Sequence, residues 1–312
     1  MTPPAPVDGF GAARLHPVGT GPEDVVLDSS GRVLTGLADG RVVRLDPATG
    51  DVETVARVSG RPLGLELLGT DELLVCASDA GLLAVALDGG AVRTLADRFA
   101  GRPLGAVNNA AVAGDGTIWF SDSSTRFPIP RWREDLVQRT RSGRLFRRAP
   151  DGEVTEVLGD LEFANGVALA ADGSFVAVAE TGARRVRRVW LTGSRAGTSD
   201  VLAEDLWGYP DNMALGSDGL IWVALASPRV SALDSIQRLP GALRAVVRRL
   251  PERLLPSPAP AVGAVGLDGA GRVVRGRIGT IDGFVMLTGV REVGGTVWLG
   301  SLTGNSVAAV AR

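Results

Sequence analysis

The sequence contains one cysteine, one histidine and no lysine among its 312 residues. A single cysteine cannot form an internal disulfide, and Cys76 lies in the apolar run ELLVCAS, which is typical of a buried thiol. No stretch of 18 uninterrupted apolar residues is present, so no transmembrane helix is expected. The N-terminal segment MTPPAPVDGFGAARLHPVG lacks the apolar centre of a secretory signal. These absences predict a soluble cytoplasmic protein without stable membrane insertion.

An excess of charge of one sign is also lacking. The chain has 33 basic residues, all of them arginine, against 35 acidic residues, and its formal net charge is −2. A nearly balanced chain has no bulk electrostatic attraction for nucleic acid or for an anionic membrane. We therefore expect no nucleic-acid partner, and the composition does not determine the oligomeric state.

What the sequence does contain is a repeated unit, in which a turn leads into an apolar, β-rich run. Short strands joined by Asp-Gly and Thr-Gly turns are typical of antiparallel meanders. Successive units begin roughly 40 to 76 residues apart, and a four-stranded propeller blade needs about 40–50. The units are SSGRVLTGL from Ser29, GTDELLVCAS from Gly69, GDGTIWFSDS from Gly114, ADGSFVAVAE from Ala171, SDGLIWVALA from Ser217 and VGGTVWLGSL from Val293.

Six units predict an all-β fold, a six-bladed β-propeller that occupies residues 1–312 as a single domain. The excess length falls in two insertions, at about residues 125–141 and 227–260. We expect the segment near Ala12–Val18 to supply the outer strand of the last blade and to close the ring.

The second insertion is the one convincing helical stretch, and we place it between blades 5 and 6. In Ala232–Leu255, apolar residues recur at helical spacing with arginines between them. Three interpretations remain open: a helical cap packed on the propeller, a lid over a substrate, or a basic helix that touches a membrane.

A column of polar residues precedes the strands. Seven positions before the residue that precedes the turn glycine stand Glu23, Asn108, Asn165 and Asp211 in four of the units. In the two remaining units the same count reaches Gly64 and Leu287. The innermost strand of each propeller blade lines the central channel, so equivalent positions converge on the axis.

Two carboxylates and two amides form an all-oxygen set, without His or Cys. Such a set suits Ca²⁺, which takes 6–8 oxygen ligands, and Mg²⁺, Mn²⁺ and Zn²⁺ are the alternatives, although Zn²⁺ ordinarily prefers nitrogen or sulfur. The alternative interpretation is that each side chain only satisfies backbone groups where a strand begins.

Three segments carry a family likeness: VNNAAVAGDGTIWFSDSS, SGRLFRRAPDGEVTEVLGDLEFANGVALAADGSFVAVAE and YPDNMALGSDGLIWVALASPR. They resemble the strictosidine synthase-like branch of the gluconolactonase/SMP-30 superfamily, from about Gly21 to Val310. The resemblance implies a six-bladed propeller. Hydrolases of the superfamily hold a divalent cation with a Glu, two Asn and an Asp, and the matching residues are Glu23, Asn108, Asn165 and Asp211. In many members an Asp follows the first Asn, whereas this chain has Asn109.

The resemblance to strictosidine synthase itself does not extend to its catalytic residue. Those plant enzymes condense an amine with an aldehyde without a metal, and their catalytic Glu lies four residues before a second Glu. That second Glu matches Glu292, which places the catalytic position on Thr288. Threonine cannot act as a carboxylate base, so the resemblance argues against condensation.

The leading functional hypothesis is metal-dependent hydrolysis of a lactone or ester, with a small molecule as substrate. Asp211 is the expected general base or nucleophile, and Glu23 is expected to act purely as a ligand. The alternatives are a metal-assisted cyclase or isomerase, a strictosidine synthase-like condensing enzyme, and a binding propeller with a structural metal. The lone histidine, His16, precedes the first unit and is not expected to be catalytic.

Substrate contacts are expected beside the ligands, on the flanking residues and at the start of the first insertion. Phe163, Trp207 and Tyr209 would form an aromatic wall, or would pack between blades. Arg126 would bind a substrate carboxylate, or would be solvated at the surface. The complete predicted set is Asn109, Asn212, Phe163, Trp207, Tyr209, Ser124, Arg126 and Thr288.

Overall fold

The computed structural model describes residues 8–312, apart from the side chain of Glu252. Residues 1–7 lie outside this range. They belong to the segment in which no secretory signal was expected. The described residues form six four-stranded antiparallel sheets arranged as a β-propeller, as the repeats predicted. None of the described helices has the length and apolarity needed to span a lipid bilayer.

The first three blades follow one another along the chain, each sheet built in sequence order from the channel outwards. Blade 1 comprises Val25–Leu27, Val33–Gly36, Arg41–Leu45 and Val52–Arg57. Blade 2 comprises Pro62–Leu68, Glu72–Ala77, Gly81–Ala86 and Val92–Ala96. Blade 3 comprises Val107–Val112, Ile118–Asp122, Gly143–Arg148 and Val154–Leu161, and a two-residue hairpin of Arg98–Phe99 and Arg102–Pro103 precedes it.

The next two blades repeat the order, and the sixth closes the ring. Blade 4 comprises Ala164–Leu169, Phe175–Glu180, Arg185–Trp190 and Ser199–Ala203. Blade 5 comprises Gly208–Leu215, Ile221–Pro228, Val262–Leu267 and Val273–Gly279. Blade 6 comprises Leu287–Val293, Thr296–Ser301 and Ser306–Ala311, with Arg14–Pro17 as its outer strand.

The closing strand confirms the prediction for the N-terminal segment. Arg14–Pro17 pairs antiparallel with Ser306–Ala311, from Arg14 opposite Ala309 to Pro17 opposite Ser306. Strands from the two ends of the chain thus share one sheet. Full closure removes the long exposed edges that an open sheet would leave.

The apolar runs in the sequence are continuous because both faces of a blade are buried. In the strand Ile221–Pro228, Val223 belongs to an apolar cluster with Phe175 of blade 4. The adjacent Trp222 belongs to a different cluster, with Leu299 of blade 6. Alternate side chains of a strand point to opposite faces, so a strand between two neighbours has no solvent face. Cys76 is buried in the same manner and is a free thiol, as expected.

Both insertions connect the second and third strands of a blade, and this corrects the predicted position of the helical one. It lies inside blade 5, between Ile221–Pro228 and Val262–Leu267, and not between blades 5 and 6. The other lies inside blade 3. Because the second strand runs antiparallel to the first, it ends where the innermost strand begins. Both insertions therefore emerge at the end of the channel where the polar column lies.

The helical content differs from the prediction in two respects. The second insertion has two short helices, Ser231–Gln237 and Gly241–Val247, and a 3₁₀ turn at Glu252–Leu254. Pro240 separates them in an extended conformation, since proline ends a helix that approaches it. The first insertion also contains a helix, Trp132–Gln138, which follows a 3₁₀ turn at Ile129–Arg131 and was not predicted. A further 3₁₀ turn lies at Gly193–Arg195.

Candidate metal centre

A bulge interrupts the innermost strand at the same place in five blades. The pairing register shifts across two residues in each, as between Val107 and Ala110 in blade 3. A bulge leaves one residue outside the regular alternation and re-aims its side chain. The first residues of these bulges, with Glu23 in blade 1, all line one cavity: Glu23, Leu63, Asn108, Asn165, Asp211 and Thr288.

The four predicted members of the polar column therefore lie in one cavity. The positions that counting reached in the other two blades were wrong. Blade 2 contributes Leu63 where counting reached Gly64, and blade 6 contributes Thr288 where counting reached Leu287. The residue that lines the cavity lies eight positions before the turn in blade 2 and six positions before it in blade 6, whereas the other blades have an offset of seven. A count taken from the turn assumes strands of equal length. The bulges instead show which residues of the six blades are structurally equivalent.

The two amides are oriented by hydroxyl groups. Asn108 Nδ2 donates to Ser123 Oγ at 2.9 Å, and Asn165 Nδ2 donates to Thr181 Oγ1 at 3.2 Å. Each hydroxyl belongs to the residue that follows the second strand of its blade. Sequence reasoning missed this role, although a Ser or Thr at the same place in both units was a usable signal.

This orientation leaves both amide oxygens without a partner. Oδ1 of Asn108 and Oδ1 of Asn165 are buried, and neither has a hydrogen bond within the described part of the chain. Most buried polar atoms in folded proteins are satisfied, so two unsatisfied oxygens in one cavity point to a ligand that accepts electron pairs. A divalent cation meets that requirement.

The two carboxylates in the cavity also favour a cation. Burial raises the pKa of Glu23 well above its usual value of 4.5, and the charge of Asp211 raises it further. Burial is also the main cause that raises the pKa of Asp211 to about 7. Two anionic groups that disfavour each other's ionisation would be stabilised as carboxylates by a cation between them. The donor set thus fits a hard divalent ion. Among the described side chains, no three His, Cys, Asp or Glu residues form a metal-binding group.

The second residues of the bulges form a ring of their own behind the cavity. Glycine alternates in this ring with Asp24, Asn109 and Asn212. Asn109 Oδ1 accepts from the Val167 backbone N–H at 2.7 Å, and Asn212 Nδ2 donates to Glu23 Oε2 at 3.0 Å. Asn109 and Asn212 are both buried and neither lines the cavity, so the structure does not place them where the predicted substrate contact requires. They connect blades instead.

Three of the other predicted substrate contacts do line the cavity. Phe163, Tyr209 and Thr288 face it. Phe163 adopts a left-handed conformation with φ of 63°, an uncommon backbone for an aromatic residue, directly before the inner strand of blade 4. The Tyr209 hydroxyl accepts from the Val230 backbone N–H at 3.2 Å, and Thr288 Oγ1 donates to the Glu23 carbonyl at 2.8 Å.

The remaining three do not reach it. Trp207 packs against the apolar cluster between blades 4 and 5, which was the alternative interpretation. The Ser124 hydroxyl donates to Asp135 Oδ2 at 2.5 Å and accepts from the backbone of Phe127, so it anchors the start of the first insertion. Arg126 is exposed and lies outside the cavity lining, which favours the solvated interpretation, while its contact with a substrate carboxylate stays a prediction.

The two insertions together cover the cavity. Trp132 and Leu136 from the first insertion and Val230 and Leu233 from the second line its outer part. Gln237 Nε2 donates to the Leu136 carbonyl at 2.9 Å and ties the two insertions together. The insertions thus form a helical cover over the channel mouth, which agrees with the cap interpretation. The lid and membrane interpretations stay predictions.

His16, the one histidine, does not take part in the site. It is buried in the outer strand of blade 6, and its ring lies 5.7 Å from that of Trp298. His16 does not line the cavity. This agrees with the expectation that histidine-assisted chemistry does not apply to this chain.

Solved structures share the fold. A gluconolactonase from Xanthomonas campestris superimposes with a TM-score of 0.70 at 17% identity, over 100% of this chain and 93% of that one. Regucalcin from Agrobacterium tumefaciens, described as a calcium-binding protein, gives a TM-score of 0.69 at 17% identity, over 98% of this chain and 95% of that one. At such identities the likeness concerns the fold alone.

Curated relatives are closer in sequence. Strictosidine synthase-like protein 13 of Arabidopsis thaliana is 34% identical over 74% of this chain and 64% of its own length. The adipocyte plasma membrane-associated protein of Rattus norvegicus is 35% identical over 70% of this chain and 64% of its own length. The chain thus spans under two thirds of these two relatives. Strictosidine synthase-like protein 10 of Arabidopsis thaliana is 31% identical over 91% of this chain and 83% of its own length.

A family model provides the last comparison. The model of the SMP-30/gluconolactonase/LRE-like region matches residues 28–249, which is most of the chain and includes three of the four candidate ligands. The matched segment runs from the end of the inner strand of blade 1 into the insertion of blade 5. The chain therefore belongs to the SMP-30/gluconolactonase/LRE-like family.

Proposed function

We propose that this protein is a hydrolase of a small-molecule lactone or ester that depends on a divalent metal, with Ca²⁺ as the expected ion. The observation that carries the proposal is the pair of buried, unpartnered amide oxygens of Asn108 and Asn165 in one cavity with Glu23 and Asp211. Family membership supports it, since the fold neighbours include a gluconolactonase and a calcium-binding protein by name.

Glu23, Asn108, Asn165 and Asp211 would hold the ion. When bound, a divalent cation supplies Lewis acidity, which polarises the substrate carbonyl group and stabilises negative charge on its oxygen. Ser123 and Thr181 keep the two amide oxygens turned towards the cavity through the hydrogen bonds to Nδ2. Since these contacts exist before any ligand arrives, the donor set is preorganised.

The two carboxylates have different surroundings and therefore different roles. Glu23 is buried and its Oε2 accepts a hydrogen bond from Asn212, which suits a fixed ligand. Asp211 is largely buried but keeps some accessible surface and faces the cavity, which suits a group that reacts. Its carboxylate would accept the proton of a water that attacks the carbonyl carbon. Alternatively, it would itself attack that carbon and form a mixed anhydride, while the C–O bond to the alcohol oxygen breaks and that oxygen takes up a proton; water would then hydrolyse the anhydride and restore the carboxylate.

Condensation of an amine with an aldehyde is disfavoured by one contact. The resemblance to strictosidine synthase places Thr288 at the position of that enzyme's catalytic glutamate, and the Thr288 hydroxyl already donates to the Glu23 carbonyl. Glu292 lies at the far end of the same strand and accepts from Ser217 Oγ at 2.8 Å, away from the cavity. Among the described residues, no carboxylate of blade 6 lines the cavity, so blade 6 supplies no base at the place where that reaction would need one.

The test combines metal content with turnover. Elemental mass spectrometry of the purified chain, before any chelator, should find about one calcium per chain, and a panel of lactones, aryl esters and phosphotriesters should be hydrolysed. Asp211→Asn should lower kcat by roughly 10²–10⁴-fold, the range for a general base. Asp172→Asn, the same substitution at an exposed turn of blade 4, is the control and should leave kcat unchanged.

Two results would contradict the proposal in different ways. A folded chain that remains metal-free when supplied with divalent ions would exclude the metal centre. A chain that binds calcium but hydrolyses none of the panel, with Asp211→Asn equally inert, would favour a binding propeller with a structural ion, or a cyclase or isomerase.

A further inference from the structure

The wall of the cavity differs sharply in chemistry from its floor. The floor carries the polar column, whereas the part built by the cover is apolar and includes the buried side chains of Leu136 and Leu233. The apolar side chains of this part include Ile129, Trp132, Leu136, Val230 and Leu233. The cavity volume is about 80 Å³, which is space for several water molecules or for part of a small ligand.

Three hydroxyl groups in the lining, those of Thr181, Ser227 and Thr288, already donate to backbone carbonyls of the protein. Thr181 Oγ1 donates to the Pro210 carbonyl at 2.7 Å, and Ser227 Oγ donates to the Pro228 carbonyl at 3.1 Å and accepts from the Ala259 N–H at 2.9 Å. A hydroxyl has one proton to donate. These groups therefore cannot donate to a ligand without losing a bond within the protein.

Charge in the lining is of one sign. Among the described lining residues the ionisable carboxylates are Glu23 and Asp211, and no arginine or histidine is present. An anionic substrate group would find no cationic side chain and would meet two carboxylates. A carboxylate-bearing or phosphorylated ligand is therefore disfavoured at this wall.

We propose that the substrate of this site is a neutral lactone or ester with an apolar alkyl or aromatic group, which binds against Leu136 and Leu233 of the cover, and not a polyhydroxylated sugar lactone. The inference rests on the proposed function for the reacting group, while the apolar wall is an independent observation. Against the side chains of Leu136 and Leu233 a sugar hydroxyl would lose its bonds with water and find no partner, whereas an alkyl chain gains from leaving water. Leu136 and Leu233 thereby determine specificity.

The experiment measures binding without turnover. Isothermal calorimetry in saturating calcium compares two δ-lactams, which are not hydrolysed as lactones are: one carries a butyl chain and the other is polyhydroxylated. The butyl lactam should bind at least about tenfold more tightly, since one methylene in an apolar pocket already contributes about that much. Leu233→Asn should reduce this preference by about tenfold or more.

Matched variants separate a local effect from unfolding. Leu243→Asn makes the same substitution in the same cover, at a residue that is 51% exposed and outside the lining, and should keep the preference. Leu136→Met keeps the wall apolar and should also keep it. If Leu233→Asn does not fold, as judged by circular dichroism and calcium binding, the comparison of the two lactams on the unaltered chain decides alone.

Equal or tighter binding of the polyhydroxylated lactam would overturn the inference, and so would a failure of both lactams to bind. Binding of the butyl lactam by a chain that hydrolyses no lactone or ester would instead uphold the apolar site and refute the proposed function. The two failures are thus distinguishable.

Discussion

Asn109 of blade 3 donates a hydrogen bond from Nδ2 to Oδ2 of Asp24 in blade 1, at 3.3 Å. The contact passes over Gly64 of blade 2, where a Cβ atom would lie 2.5 Å from the Asn109 Cα. Asp24 Oδ2 also accepts from the Leu65 backbone N–H at 2.9 Å. Asn212 of blade 5 likewise donates to Glu23 of blade 1 across blade 6, so side chains of odd-numbered blades meet across blades 2 and 6.

The glycines in the ring behind the cavity should not tolerate replacement by alanine. At Gly166, a Cβ would lie 2.4 Å from the Asp211 carbonyl oxygen and 2.4 Å from the Met213 nitrogen. Both are backbone atoms, so the blades would have to separate. We expect Gly166→Ala to lower the free energy of unfolding by about 1–3 kcal/mol or more, measured by urea denaturation. Gly114→Ala meets no atom within 4 Å and should be neutral; equal effects would refute the steric argument.

Calcium should stabilise the protein through Glu23. At a calcium concentration 100 times Kd, the free energy of unfolding should rise by about 2.7 kcal/mol, visible as a higher Tm that a chelator reverses. Glu23→Gln should abolish this gain. Without calcium the variant should be no less stable than the parent chain, because the repulsion between Glu23 and Asp211 is removed.

The control for this experiment is Glu153→Gln, at an exposed turn residue of blade 3. It should retain the full calcium-dependent rise in Tm. A rise that survives Glu23→Gln would show that calcium binds elsewhere.

The hydroxyl of Thr181 should matter for metal affinity although it is not itself a proposed ligand. It accepts from Asn165 Nδ2 and so orients the amide oxygen. Loss of such a supporting contact typically costs 10–100-fold in metal affinity, and we expect Thr181→Val to weaken calcium binding by about that factor in calorimetry. Thr54→Val, on the exposed outer strand of blade 1, should leave Kd unchanged. An unaltered Kd in Thr181→Val would mean that the amide is held by other contacts.

A pH-dependent contact should secure the first insertion. Glu162 accepts from Arg139 Nη2 at 2.7 Å and from Arg141 Nε at 2.9 Å. Burial acts to raise the pKa of Glu162, but the hydrogen bonds and charges of the two arginines outweigh it and hold the pKa below 4.5. A depressed pKa in the folded state means that the contribution is present above about pH 4.5 and is lost as the pH falls through the folded pKa.

Glu162→Gln should therefore be less stable than the parent chain at pH 7, by about 1–3 kcal/mol. The difference in Tm between the two should shrink as the pH falls below about 4.5. A difference that stays constant down to pH 3 would show that the contact contributes through packing and not through charge.

Much of the architecture followed from local pattern. Turn glycines, β-rich runs and their spacing predicted six blades and the closing N-terminal strand, because these features depend on short-range preferences and on a repeat length. The same repeats located Glu23, Asn108, Asn165 and Asp211, since residues at equivalent places in a propeller converge on its axis.

The tertiary structure decided what the pattern could not encode. Bulges determine which of two adjacent residues enters the cavity, so Leu63 and Thr288 replace Gly64 and Leu287, while Asn109 and Asn212 turn away to connect blades. The helices of the cover form where they bury apolar side chains against each other and the channel mouth. The sequence by itself therefore determined the ring and the donor types, whereas long-range packing determined which side chains meet inside it.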